Sequence, residues 1–465
     1  MFAPSHTPPK GMPAGHGGTD LNTLNPEFLN QMREMLGDET PAFLRAMEQP
    51  PALALRLNPL RANAEAVAAP FTEDAVPWEP LGRYLKPGAR PGASVAHWAG
   101  AYYVQEASAM LAVAALAPKP GERILDLCAA PGGKSTQIAA ALAGKGALVS
   151  NEPEPARARV LAANLERMGA ANAIVVNALP DRLARLWPET FDAILVDAPC
   201  SGEGMFRRDS AARDEWQPGS PRGCAARQAE ILDRAAEMLR PGGRLVYSTC
   251  TFNRLENEGS VAGFLARHPD FTPEDFALPG VGTSQSGMIR AFPHRLRGDG
   301  HFAARLRKAG SWEAIHAPSR PARPNADVKK YLDALTREVC ALPDFIQRMR
   351  PELRGDRLYA IPADAPPTDG LRVLTPGLAL LRAGRSHIEP EHALAMALPA
   401  GCACRAAELD DRQAAAYLSG EALPAPGERG WTLVTWRGLP LGWSKRTDGL
   451  LKNHLPKGLR RVIHG

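Results

Sequence analysis

RILDLCAAPGGK, residues 123–134, is the stretch whose reading decides the fold. Residues 123–128 are a short, mostly apolar, β-prone run, residues 129–133 are small with one proline, and KSTQIAAALAG from Lys134 has helical character. That is a strand, a tight turn and a helix start. Small residues in such a turn let the backbone approach a ligand, and the free N–H groups of the helix start favour a polar or anionic group there. Gly133-Lys134-Ser135 also ends a phosphate-binding G-x-x-x-x-G-K-[ST] loop, but Cys128 stands where that pattern needs its first glycine. In a doubly wound fold, an acidic residue about 20 positions on, at the end of the next strand, holds ribose hydroxyls. Glu152, after the strand expected at 147–150, meets that requirement. A nucleoside cofactor is therefore preferred over a P-loop ATPase.

Downstream the period is regular: strand 147–150, helix 155–168, strands 173–176 and 192–196, helix 225–239, strand 244–248, helix 255–267. Such alternation implies a mostly parallel sheet with helices on both faces, whose ligands bind outside the carboxyl ends of the strands. Those ends are Cys128, Glu152, Asn177, Asp197-Ala198-Pro199-Cys200 and Thr249-Cys250. Two cysteines thus end two strands on one edge, beside the cofactor loop, which favours thiol chemistry. Cys128, Cys224 and Cys340 read as small core residues.

The 465 residues, 45% hydrophobic and 23% charged, suffice for roughly two to four domains with real cores. No window approaches the ~18 to 20 apolar residues of a membrane span, and MFAPSHTPPKGMPAGHGG lacks a signal peptide's apolar core. A cytoplasmic chain acting as a monomer, without a membrane, is expected. The seven cysteines lack the paired spacings of a zinc site, and Cys402-x-Cys404 alone is not one, so no metal is expected. Residues 1–22, rich in Pro, Gly and His, are expected to be disordered. An N-terminal α+β, RNA-binding module is placed at 23–115, with helices 27–36 and 40–47 capped by Asn25 and Thr40, a strand at 54–60 carrying Arg56 and Asn58, and Tyr102, Tyr103, Gln105 and Glu106 leading into a helix at 107–116. The catalytic core spans 116–310, a Pro-rich linker 311–330, a middle segment without catalytic signature 331–395, and a β-rich module 396–465. That last module carries Lys445, Arg446, Lys452, Lys457 and Arg460 against Asp448, a charge balance suited to RNA phosphates; the plain alternative is a solvated basic face.

LDLCAAPGGK, NEPEPARA, VDAPCSGEGMFRRD and YSTCTFNRLENE, in that order, resemble the Sun/Fmu-type RNA 5-methylcytosine methyltransferases. GDGHFAARL at 298–306 resembles the strand that closes the family's sheet. LKNHLPKGLR at 451–460 resembles the PUA-like tail of the bacterial small-subunit ribosomal RNA methyltransferase F subgroup. The resemblance implies a Rossmann-like class I methyltransferase core with an N-terminal α+β module and a C-terminal PUA-like β-barrel, acting on 16S ribosomal RNA, with transfer RNA as the alternative substrate. It implies that Cys128, Ala129, Ala130, Pro131, Gly132, Gly133 and Lys134 surround S-adenosylmethionine, that Glu152 takes the ribose with Arg157 nearby, and that Asp197 lies between cofactor and base. Where many relatives carry an acidic residue after the third strand, this chain has Asn177, taken here as the adenine-side substitute.

Carbon 5 of cytosine is a poor nucleophile, so a thiolate must first add to carbon 6. The resemblance assigns that addition to Cys250 and assistance of the later elimination to Cys200. Asp197 would protonate or hydrogen-bond ring nitrogen 3, and Lys134 would lower the thiolate's pKa or orient the base. Plain alternatives are solvated helix residues for Arg157 and Lys134, and, with both thiols idle, a non-catalytic RNA-binding assembly factor.

Overall fold

In the computed structural model, which describes residues 19–311, 324–384 and 387–462, the chain is organised by a mixed sheet. Its parallel centre comprises β5 (Arg123–Asp126), β6 (Ala147–Asn151), β7 (Ala173–Val176), β8 (Phe191–Asp197) and β9 (Leu239–Thr249). The order β9-β8-β5-β6-β7 is that of a doubly wound fold. ALVSN and AIVV are buried throughout because helices cover both faces, which is why these strands read as continuous apolar runs. Strand His301–Lys308 pairs antiparallel with β9 at one edge, and Phe271–Pro273 pairs beyond it. At the other edge Val373–Thr375, from the middle segment, pairs antiparallel with β7.

Several boundaries move. The helix expected at 225–239 is Ser220–Met238, because Leu239 already pairs with Phe191. The helix expected at 255–267 opens with a π turn, Leu255–Gly259, before Ser260–Arg267. Asn25 accepts the Glu27 N–H as a cap should, whereas Thr40 is the first residue of its helix and its hydroxyl is buried without a partner. Of the segment expected to be disordered, residues 1–18 lie outside the described residues. Thr19 is buried, its hydroxyl donating to the Phe206 carbonyl at 3.2 Å, and Leu21–Thr23 forms a turn capped by Asp20. Of the expected linker, residues 312–323 lie outside the described residues, and the helix Ala326–Glu338, capped by Asn325, starts within the remainder. The helix His392–Ala397 crosses the boundary placed at 395/396 because its apolar face is buried continuously.

The N-terminal sheet, ordered β2-β3-β1-β4, contains β1 (Ala54–Leu57), β2 (Thr72–Ala75), β3 (Gly82–Leu85) and β4 (Tyr102–Val104). Its Leu55, Leu85 and Tyr102 share one apolar core with Trp436 and Leu441 of the C-terminal five-stranded sheet and with Tyr417 of the helix Asp411–Ser419. The N-terminal helices Pro26–Leu36 and Thr40–Met47 pack Phe28, Met32 and Phe43 against Phe206, Trp216 and Phe252. Phe206 and Phe252 lie just beyond the two cysteines, so these helices back the loops that carry the thiols. Among the described residues no helix is long and apolar enough to cross a membrane.

Candidate active site

β5 and β8 are neighbours whose onward connections leave toward opposite edges, so a crevice opens between their carboxyl ends. A cavity of about 220 Å³ lies there, lined by residues 128–131, Gly133, Lys134 and Asp197 from the core and by Tyr103, Gln105 and Glu106 at the end of β4. Gly132 takes φ +115° before the helix Gly133–Leu142, a conformation that favours glycine, and a Cβ there would meet Leu161 at 3.2 Å. Arg56, wholly buried, donates to the Gly133 carbonyl at 3.2 Å and to Thr136 Oγ1 at 2.7 Å. Asn58 likewise donates inward, to the carbonyls of Gly100 and Met168. Both side chains therefore brace the protein from within.

Two buried carboxylates stand at the carboxyl ends of β5 and β6. Glu152 is 2% exposed; it accepts the Glu154 N–H at 3.0 Å and lies 3.5 Å from Arg157 Nη1. Burial pushes its carboxyl up, with Arg157 opposing. Arg157 also donates to the Ala130 carbonyl at 3.1 Å and so ties the Glu152 carboxylate to the loop. Asn177 Nδ2 donates to the Glu152 and Pro153 carbonyls at 2.7 and 2.8 Å, holding the turn that presents Glu152. Asp126 accepts Ser135 Oγ at 2.7 Å on one oxygen while the other has no partner, and burial pushes its carboxyl up to about 7. Ser135 is thereby committed to Asp126, and Lys134 to Asp197. The two side chains a P-loop would turn on phosphate and magnesium are engaged elsewhere, which removes the physical basis for an ATPase.

On the other side of the crevice, Lys134 Nζ donates to Asp197 Oδ2 at 2.8 Å, and Ser248 Oγ donates to Oδ1 at 2.8 Å. Burial alone would raise the Asp197 carboxyl, but the Lys134 ammonium, helped by the hydrogen bonds from Lys134 and Ser248, outweighs it and holds the carboxyl below its usual value. Burial likewise works against the Lys134 ammonium and Asp197 outweighs it, so the lysine is held up. The pair rests as ammonium and carboxylate, and Asp197 is an acceptor until a proton reaches it. Cys200 Sγ and Cys250 Sγ lie 3.3 Å apart, although 50 residues separate them. Contact with Cys250, and next burial, push the Cys200 thiol well above its ordinary range, and either sulfur can donate to the other.

The strand-end residues Cys128, Glu152, Asn177, Asp197, Cys200 and Cys250 thus stand at the carboxyl ends of the parallel strands, with Lys134 held to Asp197 and Arg157 beside Glu152. Three groups around the crevice carry no local signal. Asp126 points into the core of an apolar strand, His301 arrives on the edge strand with its Nε2 3.7 Å from Asp197, and Glu256 sits inside the π turn. Burial, then Lys134, push His301 down to about 3, so it is neutral.

Comparison with known proteins places these groups in a lineage. The model described as 16S rRNA methyltransferase RsmB/F matches residues 113–307. The RsmF N-terminal domain matches 24–107, its first C-terminal domain 336–398 and its PUA domain 404–461. Ribosomal RNA small subunit methyltransferase F of Shigella boydii is 35% identical, over 93% of this chain and 96% of its own length. The chain belongs to the RsmB/F family of 16S rRNA methyltransferases. The Escherichia coli O127:H6 protein of the same name is 34% identical over the same shares. A solved methyltransferase homologue from Pyrococcus horikoshii, 27% identical, superposes with a TM-score of 0.54 over 62% of this chain and 100% of its own. The RsmB/F match runs from before β5 to the edge strand. Lys134, Asp197, Cys200, Cys250 and His301 all lie within it, whereas Tyr103, Gln105 and Glu106 belong to the RsmF N-terminal domain.

Proposed function

We propose that this RsmB/F member transfers a methyl group from S-adenosylmethionine to carbon 5 of a cytidine in 16S ribosomal RNA, through a covalent bond between Cys250 and carbon 6. The observation that carries this reading is the pair of thiols brought to 3.3 Å from the ends of two different strands, next to the cofactor crevice. A binding protein without catalysis has no use for that arrangement. The cofactor fits the donor set: the partnerless Asp126 oxygen suits an ammonium group, and the buried Glu152 carboxylate suits ribose hydroxyls. When bound, S-adenosylmethionine supplies an electrophilic methyl group.

The chain's own residues do the rest. Cys250, as thiolate, adds to carbon 6 and leaves carbon 5 with enamine character. The Asp197 carboxylate, fixed by Lys134 and Ser248, accepts a hydrogen bond from the exocyclic amino group, a contact that uracil cannot make. Lys134 supplies the positive charge next to it and interacts electrostatically with Cys250. Release requires loss of the carbon 5 proton to a base and departure of the Cys250 sulfur. The Cys200 thiol, 3.3 Å from that sulfur, stabilises the departing thiolate by donating its S–H to it. The target cytidine must be unpaired or flipped out to reach the thiols. All these groups come from one chain, and the reading is of a monomer acting on ribosomal RNA in the cytoplasm.

Incubating 16S ribosomal RNA with the protein and S-adenosylmethionine, then digesting to nucleosides, should yield 5-methylcytidine with wild type and none with Cys250→Ala. Methyl groups on a ring nitrogen or a ribose would contradict the proposal.

A further inference from the structure

Glu256 is not a strand-end residue and has no place in the chemistry above, yet it is fully buried within the π turn Leu255–Gly259. Its carboxylate sits at the junction of the two thiol loops. On the Cys200 side, Oε2 accepts the Ser201 N–H at 3.0 Å and Gln228 Nε2 at 2.8 Å, and Oε1 accepts Ser201 Oγ. Gln228 Nε2 also donates to the Pro199 carbonyl at 3.0 Å, so both peptides flanking Cys200 are tied into the same cluster. On the Cys250 side, Oε1 accepts Asn253 Nδ2 at 2.6 Å, and Ser201 Oγ lies 2.8 Å from Thr251 Oγ1. The Glu256 N–H in turn donates to Asn253 Oδ1 at 2.9 Å. Four donors on one carboxylate favour its anionic form, although burial pushes it up.

A second buried carboxylate shows by contrast what is particular to Glu256. Glu203 accepts the N–H groups of Phe252 and Asn253, each at 2.9 Å, and the neighbouring Gly204 N–H donates to the Cys250 carbonyl at 2.8 Å. Glu203 therefore holds the Cys250 loop by its backbone, whereas Glu256 holds the Ser201 side of Cys200 directly and the Pro199 side through Gln228.

We propose that Glu256 is a positioning residue that holds the Cys200 thiol against the Cys250 sulfur, and so sets the rate at which the enzyme releases the methylated base. This rests on the division of labour between the two thiols proposed above. A glutamine at 256 presents an N–H₂ group where two of the donors from Ser201, Gln228 and Asn253 now point, and a donor facing a donor opens the cluster. Cys250, anchored through Glu203 and Gly204, keeps its place and still adds to the base. Addition and methyl transfer then proceed while release slows.

The test is to incubate Glu256→Gln with 16S ribosomal RNA and S-adenosylmethionine, quench in denaturant and measure the fraction of protein carrying RNA. Wild type and Cys200→Ala run alongside, with S-adenosylhomocysteine affinity as the check on folding. Glu256→Gln should turn over about tenfold more slowly, the scale of one lost buried hydrogen bond, with a several-fold larger adduct fraction than wild type and unchanged cofactor-product affinity. Gln228→Ala and Ser201→Ala, which each remove part of the cluster, should move both readouts the same way and by less. If Glu256→Gln fails to bind S-adenosylhomocysteine, these two variants carry the test. Slow turnover without extra adduct, or wild-type behaviour of the variants that fold, would overturn the role of Glu256. Absence of adduct in Cys200→Ala itself would instead overturn the thiol assignment on which it rests.

Discussion

Asp126 shows how a single residue can cost the protein stability in the service of its site. It is wholly buried, its carboxyl is pushed up to about 7 from a usual 3.8, and one oxygen lacks a partner. The folded state therefore holds its proton more tightly than the unfolded state does. Between about pH 4 and pH 7 the unfolded chain loses that proton first, so stability falls as pH rises through this window and the loss is complete above it. The penalty is on the order of 4 kcal/mol for a shift of about three units. Asp126→Asn should remove it: the variant should gain stability over wild type at pH 8 and show no such gain at pH 4, while binding S-adenosylmethionine more weakly. Denaturant melts at the two pH values check this, and parallel pH dependences would refute it. Asp126 also marks a limit of sequence reading. Cys200, Cys250 and Glu152 are legible because they stand at strand ends, where the fold class itself says ligands bind. Asp126 and His301 are not, because their importance depends on which way a side chain points across a sheet.

At the scale of elements, the strand-and-helix alternation of residues 123–267 is legible because periodicity and small-residue turns coincide. What periodicity misses is irregularity within an element. The π turn at Leu255–Gly259 reads as ordinary helix, yet it is what turns Glu256 and Asn257 inward together. The strand expected at 54–60 ends at Leu57, and Arg56 and Asn58 turn into the interface with the core, a direction the sequence alone does not give. The backing of the thiol loops by the N-terminal helices is likewise a tertiary fact. Phe43 is fully buried, edge-on to Phe252 at 5.4 Å and to Phe292 at 6.4 Å between centroids. Phe43→Ala should cost about 3 to 5 kcal/mol of stability, as a large-to-small change in a packed core does, and lower turnover through the Cys250 loop while leaving S-adenosylhomocysteine affinity intact. Thermal melts and a binding titration separate these effects; weakened cofactor binding would show that the helices support the cofactor side instead.

At the scale of the whole molecule, the C-terminal module is fastened to the rest through shared cores. It packs against the N-terminal sheet, Arg61 reaches the Met396 carbonyl at 2.6 Å, and His392 Nδ1 lies 2.7 Å from Glu166 Oε1. Removing the module would expose apolar surface on its neighbours, so its role in RNA binding is better tested on its surface. Of the five basic residues singled out there, Arg446 is buried, Lys445 and Arg460 are half-buried, with Arg460 donating to the Leu455 carbonyl, and Lys452 and Lys457 are exposed. Lys445 pairs with Lys452 across the sheet and lies over the Trp431 ring at 5.4 Å. Lys452→Glu with Lys457→Glu should weaken RNA binding and lower its log–log salt slope by about two, while S-adenosylhomocysteine binding stays unchanged. An unaltered slope would make this face merely solvated. The division of labour between the thiols is tested most directly by locating the trapped RNA. Cys200→Ala, incubated with 16S ribosomal RNA and S-adenosylmethionine, denatured, digested with nuclease and protease and mapped by mass spectrometry, should carry a methylated cytidine nucleotide on Cys250, while Cys250→Ala should carry none. A nucleotide found on Cys200 in the Cys250→Ala protein, with none trapped in Cys200→Ala, would contradict the account.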